Sequence, residues 1–329
     1  MTAREILENI KKTTVLVVGD ICLDRWCDYD PALADPSRET GIPRIAVTRT
    51  VCTPGAAGTV AGNLASLQAK KVAVLGLIGD DGFGFELEKS LEERKISPEP
   101  VVRWNGLATF TYTKLINKTD GVEDQPRVDF IQAEGVPPDA DRALVDRLHT
   151  FWSEFDVIIV SDQAETEYGG VVTPTMRAAL SELAGRSPGK VVWADSRVRA
   201  EHFRNVILKS NRDEAEAAST RAFGEIDFDR LREHTSSPLM VMTDGPNGAT
   251  GLRSAGKFTI PTRSNPNPID ICGAGDSFSA GAALALAITG SAEEAFRFGN
   301  IVSSITIMKK GTGTSSPEEV LAADASWPV

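Results

Sequence analysis

The chain has 329 residues, 41% of them hydrophobic and 25% charged, with 46 Asp and Glu against 35 Lys and Arg, for a formal net charge of −11. That length suits one large α/β domain with an appendage, or two medium domains. No Lys/Arg cluster builds the basic face that duplex binding needs, so nucleic acid is excluded as an expected partner.

The opening MTAREILENIKK reads as a polar helical segment without the apolar core of a signal peptide. Val15–Gly19 (VLVVG) is a short apolar run that predicts a buried strand. Trp26–Pro54 alternates polar and apolar residues without a clear helix, and Ile45–Thr53 within it reads as a strand. Gly58–Gln68 predicts a helix, Val72–Ile78 a second buried strand and Gly84–Arg94 an amphipathic helix. Arg103–Phe130 again lacks a helix, with Leu107–Ile116 as its strand. The two irregular stretches are expected to form one small β lid inserted into the α/β domain.

Val157–Val160, Val191–Trp193, Val206–Leu208 and Leu239–Thr243 continue the series of buried strands, with helical segments between them. Thr173 caps one of these helices, with Pro174 at its first position. This alternation predicts a mostly parallel sheet with helices on both faces. Ala280–Ile288 is the longest apolar helical stretch, too short to span a bilayer, so no membrane contact is expected. Ser291 and Glu294 have capping-box spacing. Phe298, Ile301, Val302, Ile305 and Met308 follow a helical period, which Lys309, Lys310 and Gly311 are expected to close. The cysteines, Cys22, Cys27, Cys52 and Cys272, form no C-x-x-C pair, so a reducing, cytoplasmic location is expected.

The segment richest in chemistry is Asp270–Gly281, DICGAGDSFSAG. Gly273, Ala274 and Gly275 are small residues directly ahead of a long helix. They let backbone N–H groups turn toward a ligand, and the helix terminus adds partial positive charge. The combination makes an anion cradle suited to a phosphoryl group. Asp276, in the first turn, can accept the proton of an attacking hydroxyl. The plainer alternative is an acid capping a helix over a tight turn.

Other signals carry less. Gly251–Lys257 fits the first seven places of a P-loop, but Phe258 stands where Ser or Thr must hold magnesium. Its flanks, Thr250–Arg253 and Phe258–Pro261, read as a hairpin. His149, His202 and His234 lack metal-ligand spacing. No G-x-S-x-G elbow occurs, and Gly79–Gly84 lacks dinucleotide-site spacing.

DICGAGDSFSAG resembles the carboxy-terminal signature of the PfkB carbohydrate kinase family, which includes ribokinase. Pro54–Gly84 resembles that family's amino-terminal signature. Asn211-Arg212-Asp213-Glu214 fits its N-x-x-E motif, and Thr243–Gly248 (TDGPNG) its T-x-G-x-x-G motif. The four lie in the family's order. VLVVGDICLDRW, Thr111–Leu115 and Arg127–Phe130 further resemble the heptose-phosphate kinase domain that feeds lipopolysaccharide synthesis. The resemblance implies a single ribokinase-like domain over residues 1–329, with the lid at about 26–54 and 103–130. It implies transfer from ATP, with Mg²⁺, to a hydroxyl of a sugar or sugar phosphate. A nucleoside kinase of the same superfamily, or a sugar- or nucleotide-binding regulatory protein without turnover, are the alternatives.

The resemblance also implies roles. Asp276 is the general base, with Gly273, Ala274 and Gly275 as anion hole. Asp24 and Gly55 meet the sugar, with Lys114 reaching from the lid. Ala56 and Thr59 stand where the family often has a glycine and an asparagine against the sugar, so they mark the substrate site. Asn211 and Glu214 serve magnesium and its waters, with a helix-terminal pair as the alternative. Thr243, Gly245 and Gly248 line the nucleotide site, with Asn300 against adenine. Arg197 and Lys209 follow strand ends and could face phosphates or solvent. Asp270, with carbonyls near Cys272 and in Lys310–Ser316, marks a place for a monovalent cation such as K⁺. A homodimer through the lids would cover their exposed edges.

Overall fold

The computed structural model describes residues 1–132, 134–164, 169–263, 265 and 267–327. In chain order the elements are α1 (Ala3–Ile10), β1 (Thr14–Gly19), β2 (Ile21–Tyr29), β3 (Val47–Ala56), α2 (Ala57–Ser66), β4 (Lys71–Leu75), β5 (Leu77–Gly79), α3 (Gly82–Glu93), β6 (Ile96–Ser97), β7 (Val102–Trp104), β8 (Thr111–Asn117) and β9 (Val128–Phe130). Then follow α4 (Pro138–Phe151), β10 (Val157–Asp162), α5 (Pro174–Arg186), β11 (Val191–Ser196), β12 (Ile207–Asn211), α6 (Arg212–Phe223), α7 (Phe228–His234), β13 (Met240–Thr243), β14 (Ala249–Arg253), β15 (Gly256–Ile260), α8 (Ala274–Thr289), α9 (Ala292–Thr306) and α10 (Pro317–Ala325).

The main sheet has nine strands in the order β15-β14-β13-β12-β11-β10-β1-β4-β6, parallel from β13 to β6 with an antiparallel hairpin, β14–β15, at one edge. Its central strands are apolar on both faces, as a doubly covered parallel sheet requires. Val15 and Val17 of β1 join a core with α1, α2, α3, α8 and α9, while Leu16 and Val18 point into the opposite core under α4, α5, α6 and α7. Helices α8 and α9 approach closely through glycine: a side chain on Gly281 would begin 2.9 Å from Val302, and one on Gly299 2.9 Å from Phe278. Among the described residues no helix is long and apolar enough to cross a membrane.

A separate four-stranded sheet, β3-β2-β8-β9, stands beside the main one. It begins earlier than the alternating pattern indicated, because β2 leaves β1 after a single residue, Asp20. The strand expected over Val72–Ile78 breaks at Gly76. There the chain turns so tightly that a side chain would begin 2.8 Å from the Gly19 carbonyl oxygen. β5 then leaves the main sheet to pair with β7, which takes residues 103 and 104 out of the second sheet.

Two helix ends also differ from the sequence reading. Ser291 Oγ accepts from Glu294 N at 3.2 Å, but the Glu294 carboxylate meets the amine of Met1 at 2.5 Å in place of completing the box. α9 stops at Thr306, before the basic pair, because Lys309 turns to Glu319 and the Thr314 carbonyl. The P-loop-like string is the hairpin β14–β15. Thr173 caps α5 by accepting from Met176 N at 3.0 Å.

Candidate active site

The carboxyl ends of β1, β11, β12 and β13 and the first turn of α8 converge beneath the second sheet. Register brings the key side chains together: Asp195 of β11 is opposite Lys209 of β12, and Asn211 of β12 opposite Thr243 of β13. Lys209 Nζ donates to Asp195 Oδ2 at 2.7 Å, and Ser279 Oγ of α8 donates to the same oxygen at 3.0 Å. All three side chains are buried. A buried ion pair needs such extra bonding to offset its desolvation.

Gly273 stands at the N-cap of α8 with φ +78°, a left-handed conformation suited to glycine. Ala274 N is drawn to the Ile271 carbonyl at 3.2 Å, and Ser277 N to the Gly273 carbonyl at 2.9 Å. The N–H groups of Gly275 and Asp276 are thus left as donors at the helix mouth. A side chain on Gly275 would begin 3.0 Å from Lys209 Nζ and would push the ammonium from its place. Burial pushes the Asp276 carboxyl up to about 6. Asp195 and Glu214 add to the rise, while Lys209 and Arg197 oppose it. Lys209 loses proton affinity to burial, yet Asp195, Glu214 and Asp276 outweigh that and raise it. Lys209 therefore stays charged beside the helix mouth.

Asp24 faces the cleft from β2. Burial pushes its carboxyl up to about 6 against the pull of Lys114 and Arg127. Gly55, opposite Cys22 across the β2–β3 ladder, leaves the room Asp24 occupies: a side chain there would begin 2.7 Å from Asp24 Oδ2. Lys114 Nζ lies 4.2 Å from the Trp26 ring centre. Ala56 has φ +53° and ψ −119°, a conformation that L side chains rarely adopt, at the start of α2. Thr59 is buried one turn on, with its methyl 3.4 Å from where a Gly273 side chain would begin.

Asn211 and Glu214 form a reciprocal cap on α6: Asn211 Oδ1 accepts from Glu214 N at 2.8 Å and Glu214 Oε2 from Asn211 N at 2.7 Å. Burial raises the Glu214 carboxyl, which feels Lys209, Asp195 and Arg197 across the cleft. Thr243, Gly245 and Gly248 shape the turn after β13. Gly248 has φ +88°, and a side chain there would begin 2.2 Å from the Ile260 carbonyl oxygen. Asn300 is buried and donates its amide to the carbonyls of Ile260 and Pro261, both at 3.2 Å. Its nitrogen is therefore engaged with the hairpin. Asp270 accepts from Cys272 N at 2.9 Å and from Gly311 N at 3.0 Å, tying the approach to α8 to the loop after α9.

Sequence reasoning missed Asp195 and Ser279 and left Lys209 undecided. An acid ending one buried strand and a lysine near the end of the next were the available signals. A further buried group went unread. Asp20, after β1, accepts from Gln163 N at 2.9 Å and Val171 N at 2.7 Å. Burial and Asp162 push its carboxyl up to about 6. Among the described residues no three His, Cys, Asp or Glu side chains cluster as metal ligands, and all four cysteines are free.

Residues 192–319 match the family described as pfkB family carbohydrate kinase. Across 95% of its length the chain is 31% identical to the bifunctional protein HldE of Caulobacter vibrioides, and across 94% it is 29% identical to that of Geobacter sulfurreducens. It spans 64% and 62% of those two proteins, less than two thirds of each. The fold is that of Thermotoga maritima ribokinase (TM-score 0.69, 22% identity, 94% of this chain and 99% of that one). It is also that of Escherichia coli phosphofructokinase-2 in complex with potassium (TM-score 0.68, 19% identity, 95% and 99%).

Proposed function

From the match of residues 192–319 to the pfkB family of carbohydrate kinases and the likeness of nearly the whole chain to HldE proteins, we propose that it transfers the terminal phosphoryl group of ATP to a hydroxyl of a sugar or sugar phosphate. The observation that carries this reading is the placement of Asp276. Its carboxyl, pushed up to about 6, stands at a helix mouth beside the buried Lys209–Asp195 pair. A base with a pKa near the working pH is the one best matched to its task.

In this reading Asp24 accepts a hydrogen bond from a sugar hydroxyl and orients the acceptor toward Asp276. Asp276 takes the proton of the attacking hydroxyl as its oxygen bonds to the terminal phosphorus, and ADP departs. The N–H groups of Gly275 and Asp276 and the ammonium of Lys209 stabilise charge on the phosphoryl oxygens. Magnesium carried in with ATP would supply neutralisation of phosphate charge, and because such an ion retains waters, few protein ligands would be needed. Glu214 and Asn211 suit that outer role and also cap α6. The turn of Thr243, Gly245 and Gly248 receives the nucleotide. Asn300 supports it through the hairpin, in place of touching adenine with its amide nitrogen. Asp270 and the loop after α9 offer a place for K⁺, which addition of K⁺ or Na⁺ to the assay tests.

The molecule would work as one kinase domain, its second sheet closing over the sugar, in a reducing cytoplasm that keeps the thiols free. Lys114 and Arg127 bring positive charge toward Asp24, which favours an acceptor that already carries a phosphate. ADP release over a panel of sugars, sugar phosphates and nucleosides tests the assignment. Turnover confined to phosphorylated sugars is expected, and turnover confined to nucleosides overturns it.

A further inference from the structure

A groove of about 470 Å³ runs along α2 beneath the loop of residues 309–314. Every ionisable side chain that lines it is cationic: Arg94 after α3, and Lys309 and Lys310 in the loop. All three are basic although the chain's formal charge is −11. Arg94 is anchored through Nη1 to the Ser90 carbonyl at 2.9 Å and hydroxyl at 2.7 Å. Lys309 is held by the Thr314 carbonyl at 2.6 Å and Glu319 at 2.8 Å. Lys310 is exposed and makes no ion pair among the described residues. Thr53, also in the wall, has a buried hydroxyl with no hydrogen-bond partner among the described residues.

We propose that this groove binds the dianionic phosphate group of a small metabolite. Its volume lies within the range of roughly 300–1,000 Å³ usual for small-molecule sites. Converging Arg and Lys side chains, hydroxyl donors and the absence of any lining carboxylate are the features a phosphate selects. Gly58 and Gly62 keep the α2 floor low: a side chain on Gly62 would have as its nearest neighbour the Thr314 methyl, 3.9 Å away.

The groove is joined to the helix mouth. The methyls of Thr59 and Thr312, both lining it, lie 3.4 Å from where a Gly273 side chain would begin. The same loop holds Asp270 through Gly311 N, and Asp270 holds Cys272 N. An anion that draws Lys310 and Thr312 inward therefore pulls on the strap that positions the first turn of α8.

The test uses the full chain and inorganic phosphate, titrated calorimetrically at low salt with ADP and magnesium present. It needs no turnover, so it stands apart from the kinase assignment. R94Q/K310Q is expected to weaken one phosphate site by about 10- to 100-fold, the scale of losing charged donors. ADP affinity should be unchanged. Because Lys310 is exposed, K310Q alone preserves the fold should the double variant fail, and weakening by several-fold is expected there. Phosphate binding identical to the parent in folded K310Q overturns the proposal. Competition distinguishes the source of the phosphate. Sugar phosphates that displace groove phosphate, where the parent sugars do not, identify the substrate's own phosphate. Sugar phosphates that bind alongside groove phosphate identify a separate effector. Either result keeps the site.

Discussion

Asp276 and Ala56 are the residues on which single-site arguments turn. Asp276→Asn keeps the size and capping capacity of the side chain but cannot accept a proton near neutral pH. It is expected to lower kcat by about 10²–10⁴-fold with little change in KM for ATP, because general-base catalysis is worth about that much. Steady-state kinetics on a variant shown to be folded checks this. The same carboxyl sets a pH conflict. Asp20, Asp24 and Asp276 are each raised from 3.8 to about 6 by burial. Between about pH 6 and 4 the folded protein therefore binds protons that the unfolded chain does not. Their contribution to stability is fully present below about 4 and is lost as pH rises through 6. With Asp276 as the proposed base, activity needs its carboxyl ionised and should fall below about 6. A pH–rate profile and melting curves over the same range should thus move in opposite directions, and Asp276→Asn should melt no lower than the parent at pH 7. Ala56→Gly removes a strained backbone worth roughly 1–3 kcal/mol, offset by about 0.5–1 kcal/mol of glycine entropy. A small rise in melting temperature is expected by calorimetry. That Ala56 replaces a glycine was legible from the motif. That it keeps the glycine's backbone conformation was not, because strain is a property of φ and ψ that composition does not record.

Among the elements, the second sheet is the one whose placement does most for the site. It is fastened to α3: the rings of Phe83 and Phe130 lie 5.0 Å apart, Arg25 sits 4.8 Å over Phe83, and Ser90 Oγ bonds the Cys52 carbonyl at 3.2 Å. Phe83→Ala deletes an aromatic pair and a cation–π contact of about 0.5–1.5 kcal/mol each. The fold should survive, since Phe83 is only half-buried and packs at the margin of the first core. Loosened closure should raise KM for the acceptor and the ratio of ATP hydrolysis to transfer. ADP formation with and without acceptor measures both, and an unchanged ratio would assign Phe83 to stability alone. Strands of the main sheet were readable because burial on both faces leaves uninterrupted β-branched runs such as VLVVG. The second sheet was readable only as a loss of helical period. Its start at Ile21 was hidden because β1 and β2 read as one apolar run broken only by Asp20. The cap of Asn211 and Glu214 shows the converse: one local pattern serves a helix terminus and a metal's outer shell alike, and spacing alone does not separate them.

At the scale of the whole molecule, the site lies where topology dictates, at the carboxyl ends of parallel strands, the crevice in which open α/β sheets bind ligands. Four motifs separated by up to about 190 residues in sequence meet there. This is why the fold could be read from order and spacing, and why Asp276 could be singled out as a candidate base. The Lys209–Asp195–Ser279 contact could not, because it depends on which strands become neighbours. α8 carries Asp276 in its half-buried first turn, and from Ser277 to Ala285 it is fully buried, packed on β10, β11, α1, α2 and α9. Amides in such a helix exchange with solvent only through the rarest and largest openings of a protein, whereas a sheet fastened by a few side chains opens often. In the proposed reaction, turnover can then run with the second sheet opening while Asp276 stays mounted on a deeply buried helix. Substrate entry and loss of the base's alignment become events of very different frequency.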